Sequence, residues 1–587
     1  MCGICGLLTL NSDTKLDKNF KECGDKIKSR GPDRTNYIDT NNYKLCFQRL
    51  AIMDTSVQGD QPFTHSYEMI DEQTGNAVLR TLYVMCNGEI YNYKEILKSD
   101  EFSKKVNNFG FKMKSHSDCE IILPLYLNYG IDYLVKRING EYAFAIYDIM
   151  EDIVSGKTHY SLYLARDKFG IRPLFYTILS NDTFAFSSEM KSLINLKSDN
   201  KVEIFKPRTW LCINGLKDDT KLYYKAGVYY KIGHLPVIKK PDIDEVCNAV
   251  RRIFTNAVEC RLDSDREIGC LLSGGLDSSL VASIASNILK SRGQKLKTFS
   301  IGMPDSPDSK FAKIVAEHID SEHTNIEIPE NEWLDKLEKI IEITETFDIT
   351  TIRATTGQYL VSKWIADNTN IKVLLIGDGS DELTGGYLYF HKAPNSQELH
   401  FENIKLLEDI HYFDVLRADR GIASNGLEAR VPFLDQDFVN MYLSIDPELR
   451  MPQMHKDKDG KNTKCEKWLL RKAFDTTNLL PQSVLWRKKE AFSDGVSSHS
   501  KSWYQIIQEK INSEMSDEYF EKEKTKYENF VVPHTKEALY YHELFDKMYP
   551  NQYHILPYYW LPNQKWVGNV SDPSARTLDI YSELDDN

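Results

Sequence analysis

The sequence predicts two unlike folds in tandem, α+β and then α/β: antiparallel sheets with a few helices first, then a doubly wound parallel sheet with extra helices. Three observations predict this. Short β-prone runs bounded by polar or glycine-containing turns crowd the first ~210 residues. Beyond residue 240 or so, strand and helix patterns alternate, as in a parallel sheet. The stretch from about 390 to 560 then reads mostly as helix. The 587-residue length has room for several domains, and 41% hydrophobic residues supply large cores.

In the first part the strand signals are Leu45-Cys46-Phe47, Thr81 to Cys86, Tyr142 to Tyr147, Ser161 to Ala165 and Thr183 to Phe186, with a helix from Cys119 to Tyr129. Segment 221–243 carries Gly227, Gly233, Pro236 and Pro241 and reads as a connector. Ile268–Leu272, Thr298–Ile301, Asn325–Ile328 and Lys372–Ile376 then read as parallel strands. Helices with apolar spacing follow at Leu280–Leu289, Phe311–Ile319 and 331–346. Two charged stretches, 455–467 and 513–528, read as solvated loops or helix faces, and the acidic end Glu583–Asn587 as a mobile tail. The expected domains are 1–212, a connector 213–242, 243–565, and a C-terminal tail 566–587.

Composition excludes several classes. With 73 basic against 86 acidic residues and a net charge of -13, the chain is not built mainly for nucleic acid or an anionic membrane. No apolar run approaches the ~18–20 residues that span a bilayer. Met1-Cys2-Gly3-Ile4-Cys5 lacks the basic region of a signal peptide. Eleven scattered cysteines suit a reducing, cytoplasmic setting rather than a disulfide scaffold.

Cys2 carries the first chemistry. Removal of Met1 leaves a thiol nucleophile and an α-amine on one residue, and an α-amine of pKa about 7.7–8.0 is a suitable general base at neutral pH. The Cys2-Gly3-Ile4-Cys5 spacing is not matched by a second C-x-x-C that would complete a zinc set. Asn87 and Gly88 end a strand run, and an Asn amide and a glycine N–H are suitable oxyanion donors. Arg49 and Asp118 together have the charges to hold an amino acid by its carboxylate and ammonium; the plainer readings are a surface ion pair and a helix cap.

Met1-Cys2-Gly3-Ile4, Arg30-Gly31-Pro32-Asp33, Arg49-Leu50-Ala51-Ile52, Asn87-Gly88-Glu89-Ile90-Tyr91-Asn92 and Ser117-Asp118-Cys119-Glu120 occur in this order, followed by Arg166–Leu174 and Ser187–Met190. The set resembles the N-terminal-nucleophile glutaminase domain of class II glutamine amidotransferases. The resemblance implies an αββα sandwich with Cys2 as nucleophile and Asn87 and Gly88 as oxyanion hole. It also implies Arg49 and Asp118 on the glutamine α-groups, with Leu50, Ala51, Ile52, Met53 and Glu89 lining the site.

The second constellation is Ser273-Gly274-Gly275-Leu276-Asp277-Ser278-Ser279, between a strand and a helix. Its glycines and the helix start form an anion nest without the lysine of a Walker A loop. Ser155-Gly156-Lys157-Thr158 looks like half a Walker motif, but Glu151 stands where the first glycine belongs, so it reads as a turn. Gly377-Asp378-Gly379-Ser380-Asp381-Glu382 follows the fourth strand, where ligands bind in such sheets. Asp277 and Asp381 are of the type that bind Mg²⁺ beside a triphosphate. Gly377, Gly379 and Glu382 fail the dinucleotide G-x-G-x-x-G pattern.

The Ser-Gly-Gly-x-Asp-Ser loop resembles that of the N-type ATP pyrophosphatases, which cleave ATP between the α and β phosphates. Asp348–Ala354, Gly426–Asp435, Trp486–Gly495 and Asp572–Leu578 extend the likeness, so that nearly the whole chain resembles the glutamine-hydrolysing asparagine synthetase family. The resemblance implies ATP and Mg²⁺, with glutamine and aspartate as the other small-molecule substrates, no nucleic-acid or membrane partner, and room for a homodimer. Leu271, Ile301, Ile376 and Gly377 are then expected at the adenosine, and Ser273, Gly274, Gly275 and Ser278 at the phosphates. Arg353 and Lys489 are likewise expected to face phosphates, Asp277 and Asp381 the metal, and Asp378 the aspartyl-adenylate. Ile376 stands where a small hydroxyl residue is usual, Asp378 where glutamate is frequent, and Thr384 where an aromatic is usual. Two rivals are a relative of the β-lactam synthetases with another carboxylate acceptor, and an inactive synthetase fold serving as a sensor or scaffold.

Overall fold

The computed structural model describes residues 1–11, 14–72, 74–196, 201–217, 219–456, 462–497, 501–579 and 581. The chain forms two compact units, Met1–Lys231 with Ser264–Arg266, and Ile232–Asp263 with Glu267–Asn587.

The first unit contains β1 (Gly3–Thr9), β2 (Arg34–Asp39), β3 (Tyr43–Arg49), β4 (Phe63–Ile70), β5 (Ala77–Ile90), β6 (Gly140–Asp152), β7 (Thr158–Arg166), β8 (Phe175–Ser180), β9 (Thr183–Ser187), β10 (Glu203–Ile204), β11 (Thr209–Leu216) and β12 (Tyr223–Val228). One six-stranded sheet runs β10-β8-β9-β1-β3-β2 and the other β12-β11-β7-β6-β5-β4. Their facing side chains, among them Ile4, Leu8, Phe47, Met85, Tyr147, Leu162 and Phe186, form one buried core. β1 gives no alternating signal because all seven of its residues are buried. The expected helix at Cys119 begins as a 3₁₀ turn, Asp118–Ile121, and continues as Ile122–Arg137. Gly156 sits in the β6–β7 turn with φ 70°, as a turn requires.

The expected connector 213–242 is corrected at its start. β11 ends inside it, and β12 pairs with β11 from Thr209↔Val228 to Asn214↔Tyr223. Gly227 suggested a loop, but there a Cβ would come within 2.5 Å of the Trp210 ring, so the glycine serves packing within a strand.

The second unit is built on β13 (Ile268–Leu271), β14 (Lys297–Gly302), β15 (Glu322–Glu327), β16 (Val373–Leu375) and β17 (Glu428–Arg430), all parallel, in the order β15-β14-β13-β16-β17. Four of these are the expected strands. β17 was not anticipated: its Glu-Ala-Arg composition is polar, yet Arg430 is buried through bonds to Glu428 and to the Arg261 and Asp263 carbonyls. The chain turns outward on both sides of β13, so β13 and β16 flank a topological switch point. The expected tail 566–587 is docked as far as it is described, with a 3₁₀ turn at Ala575–Thr577; Glu583–Asn587 lie outside the described residues.

Candidate functional site

In the first unit, Cys2 directly precedes β1, and its Sγ lies 3.6 Å from the Leu50 carbonyl. Arg30 Nε donates to the Cys2 carbonyl at 3.0 Å, and Arg30 is held by Glu189 at 2.9 Å with both side chains buried. Both residues stand in recognisable motifs, but nothing in the sequence alone assigns them to the Cys2 site. Asp33 Oδ2 accepts from the Ala51 N–H at 2.8 Å, so the Arg-Gly-Pro-Asp turn fixes the backbone that runs through Leu50–Met53.

Asn87 and Gly88 lie near the end of β5, opposite Ala143 and Tyr142 of β6. The Asn87 side chain is fully buried, and neither Nδ2 nor Oδ1 has a hydrogen-bond partner among the described residues. A buried primary amide costs free energy unless bonded. Gly88 has φ 140°, and a Cβ there would sit 1.9 Å from the Glu141 carbonyl oxygen, which admits only glycine. Neighbouring Glu89 is buried. Asp118 is no helix cap: its Oδ2 accepts from the Ile90 N–H at 2.5 Å, tying the end of β5 to the 3₁₀ turn. Arg49 is buried, and its guanidinium binds Asp60 and the Met53, Asp54 and Ser56 carbonyls. It therefore shapes the 50–60 loop from inside.

In the second unit a pocket opens at the switch point. Leu271, Ser273, Gly275, Asp277, Ser278, Ile301, Arg353, Ile376, Gly377, Asp378, Asp381 and Lys489 all line it. Gly274 is the exception. With φ 71°, it turns toward the helix Pro307–His318, where a Cβ would stand 2.4 Å from the Ala312 nitrogen. Ser273 and Ser278 close the loop, with their hydroxyls 3.0 Å apart. The 16-residue helix Leu276–Ser291 starts there and directs its N-terminus to the pocket wall.

The acidic groups are brought together by two lysines. Lys489 Nζ lies 2.6 Å from Asp381 Oδ2 and 4.0 Å from Asp277 Oδ2. Lys467 Nζ lies 2.6 Å from Asp277 Oδ2 and 2.5 Å from Asp381 Oδ1. Burial opposes ionisation of Asp381, but the two ammonium groups outweigh it and hold the carboxyl well below the usual range. Burial likewise disfavours the charge on Lys489, and Asp381 and Asp277 override it and raise its pKa. Lys467 belongs to the stretch 455–467 that reads as solvated, and here that expectation is corrected, although residues 457–461 lie outside the described ones. Lys467 has φ 55°, and this left-handed residue turns its stem inward over Gly386. A Cβ on Gly386 would be 1.8 Å from Lys467 Cε.

Asp378 faces Gln358 Nε2 at 3.2 Å and Arg417 Nη2 at 3.2 Å. Burial pushes its carboxyl up, Arg417 draws it down, and nearby Asp414 raises it again, leaving it above the ordinary value. Arg353 departs from expectation. It lines the pocket, but its guanidinium is bound by Glu537 at 2.9 and 2.5 Å and by Asp572 at 2.9 and 2.8 Å. Its charge is thus neutralised within the protein.

Asp277 and Asp381 offer carboxylate oxygens on one wall, already gathered around the Lys467 ammonium. That donor set fits Mg²⁺, which takes one or two carboxylates and completes its shell with phosphate and water. Among the described residues, no helix is long and apolar enough to cross a membrane.

Comparison with known proteins agrees with this division. The glutamine amidotransferase domain model matches residues 1–243, and the asparagine synthase model matches 249–409 and 396–568. The chain is 41% identical over 603 residues to asparagine synthetase [glutamine-hydrolyzing] of Gallus gallus, covering 99% of each chain. It is 40% identical over 602 residues to the Homo sapiens protein of the same name, again covering 99% of each. With both family models in tandem and relatives matched end to end, the chain belongs to the glutamine-hydrolysing asparagine synthetase family.

Proposed function

We propose that the enzyme makes asparagine from aspartate, glutamine and ATP at two sites, one in each unit. The observation that carries this is the buried, unpartnered Asn87 amide beside Gly88 in a unit whose chain start supplies Cys2. It is joined by a loop-and-aspartate pocket in the other unit.

In the first site, once Met1 is removed, Cys2 attacks the side-chain amide carbon of glutamine, and its own freed α-amine takes the thiol proton and passes it to the leaving nitrogen. The Asn87 amide and the Gly88 N–H stabilise the oxyanion. Ammonia leaves, and water hydrolyses the thioester to glutamate. Arg30, itself held by Glu189, donates to the Cys2 carbonyl and so orients the nucleophile. Asp118 and the backbone of Leu50–Met53 receive the glutamine α-groups. Arg49 acts by fixing that loop.

In the second site, the nest at Ser273–Ser278 with Lys467 and Lys489 holds the β and γ phosphates. A β-carboxylate oxygen of aspartate attacks the α-phosphorus, and pyrophosphate departs. Asp277 and Asp381 would hold Mg²⁺, which would neutralise phosphate charge. Ammonia attacks the acyl carbon of the adenylate, AMP leaves, and Asp378, whose pKa burial raises, takes the released proton. Leu271, Ile301 and Ile376 give the adenosine an apolar wall. All eleven cysteines are free thiols, in keeping with a cytoplasmic enzyme, and a homodimer is the assembly to test by light scattering.

Incubation with glutamine, aspartate, ATP and Mg²⁺, followed by mass spectrometry of the amide product, tests the reading. Asparagine with equal glutamate and AMP is expected; amidation of a different carboxylate, or none, overturns it.

A further inference from the structure

Asp572-Pro573-Ser574-Ala575-Arg576 comes from the far end of the chain, yet Pro573, Ser574 and Ala575 line the same pocket as the Ser273–Ser278 loop. Asp572 takes two Arg353 nitrogens, at 2.9 and 2.8 Å, and accepts from Gln508 Nε2 at 2.7 Å. The other attachments converge elsewhere. Ser574 Oγ donates to the Asp494 carboxylate at 3.1 Å. Arg576 Nη2 donates to Glu490 Oε1 at 2.6 Å and to the Asp494 carbonyl at 3.3 Å. Tyr581 donates to Glu490 at 3.1 Å, and its carbonyl accepts from Lys488 Nζ at 3.0 Å.

Residues 488–494 thus receive every one of these later contacts, and they are the stretch that carries Lys489. That stretch has little regular structure to hold it. Its first four residues, Lys488–Ala491, lie between the one-turn helices Gln482–Leu485 and Phe492–Gly495, and its last three belong to the second of these. The aim of the Lys489 ammonium at Asp381 therefore depends on what clamps its neighbours. Arg576 also occupies Glu490, the carboxylate next to Lys489 in sequence, with both side chains largely buried.

We infer that Asp572–Arg576 is a positioning strap, with Ser574 and Arg576 fixing the Lys489-bearing stretch against the pocket and Asp572 anchoring the strap on Arg353. This rests on the reading above that Lys489 faces the phosphates. It gives Arg353 a different task from binding phosphate, since its guanidinium is spent on the anchor. The strap serves only the second unit, so glutamine hydrolysis is indifferent to it.

The test uses the full-length enzyme with saturating ammonium in place of glutamine, reading AMP formation against ATP concentration. Arg576→Met is expected to raise KM for ATP and lower kcat, each by about tenfold, with glutamine hydrolysis at the wild-type rate and Arg576→Lys largely restored. A chain ending at Ser571 is expected to lose AMP formation and to regain it with an added peptide of residues 568–581. The same peptide carrying Arg576→Met is expected not to restore it. An Arg576→Met enzyme with wild-type ATP kinetics, or equal rescue by both peptides, overturns the strap. Absence of AMP from the wild type instead overturns the reading of the pocket, and the strap with it.

Discussion

The Lys467 ammonium stands between two carboxylates of different loops, 2.6 Å from Asp277 Oδ2 and 2.5 Å from Asp381 Oδ1. It holds together two like charges that otherwise repel across the pocket. Lys467→Met leaves them with the Lys489 ammonium alone, 2.6 Å from Asp381 and 4.0 Å from Asp277, and breaking a buried pair of this kind costs on the order of 3 kcal/mol. The expected outcome is a lower unfolding midpoint for the second unit, recovered in part by Mg²⁺, with no asparagine formed and glutamine hydrolysis intact. Direct Mn²⁺ binding to the nucleotide-free variant is expected to be tighter than to wild type, because one of the two competing ammonium groups is gone. Unchanged stability and synthesis would refute this role.

The two reactions are carried by residues of different units, so they separate genetically. Cys2→Ala is expected to abolish glutamine-dependent synthesis and to keep synthesis from added ammonium at alkaline pH, where free ammonia is available. Loss of both activities in a folded Cys2→Ala protein contradicts a two-site enzyme.

The phosphate nest lacks a Walker lysine, and the two lysines that reach the aspartates come from far along the chain. Lys467 and Lys489 bracket the aspartates. That arrangement suits a departing pyrophosphate. AMP and pyrophosphate are expected in step with asparagine, with neither formed by Asp277→Ala. ADP and orthophosphate as the primary products, followed by ³¹P NMR, count against adenylation.

Asp348 is fully buried and accepts from the Thr351 and Trp560 N–H groups, each at 2.8 Å. Burial pushes its carboxyl up to about 6, against the effect of these donors. A raised acid binds its proton in the folded state at a pH where the unfolded chain has released it. Its contribution to stability is therefore full below the ordinary carboxyl range and is lost as pH rises through 6. Replacing it with Asn removes that dependence. The stability difference between wild type and Asp348→Asn is expected to favour wild type more at pH 5 than at pH 7.5, by about 1.4 kcal/mol in urea unfolding. An equal difference at both pH values disproves the assignment.

The sequence disclosed most of what is local. Strands β5, β6, β7, β13, β14 and β16 announce themselves by β-prone runs, and the loops at Ser273 and Gly377 by glycines that only a tight turn demands. Arrangements made by tertiary contact were hidden. Lys467 lies in a run of charge, and nothing local reveals that a left-handed φ of 55° turns it inward over Gly386. β17 is three residues with a charge at each end, buried only because the two charges satisfy each other and nearby carbonyls. Arg49 and Arg353 were recognisable as motif positions. That one binds its own loop and the other anchors a distant segment depends on partners up to 219 residues away. The substitution of threonine at 384 has a local account: its hydroxyl donates to the Ser380 carbonyl at 2.7 Å inside a five-residue helix.

The unpartnered Asn87 amide sets heat resistance against turnover. A buried amide that no protein group among the described residues satisfies costs about 1–3 kcal/mol, and a substrate oxygen offers its Nδ2 a partner. An apolar residue of similar volume, as in Asn87→Leu, removes that cost permanently. Selection of random variants for survival on heating, with no demand for glutamine use, is therefore expected to remove this side chain early. The enzymes recovered would be sturdier, would still make asparagine from ammonium, and would have lost the use of glutamine as a nitrogen source.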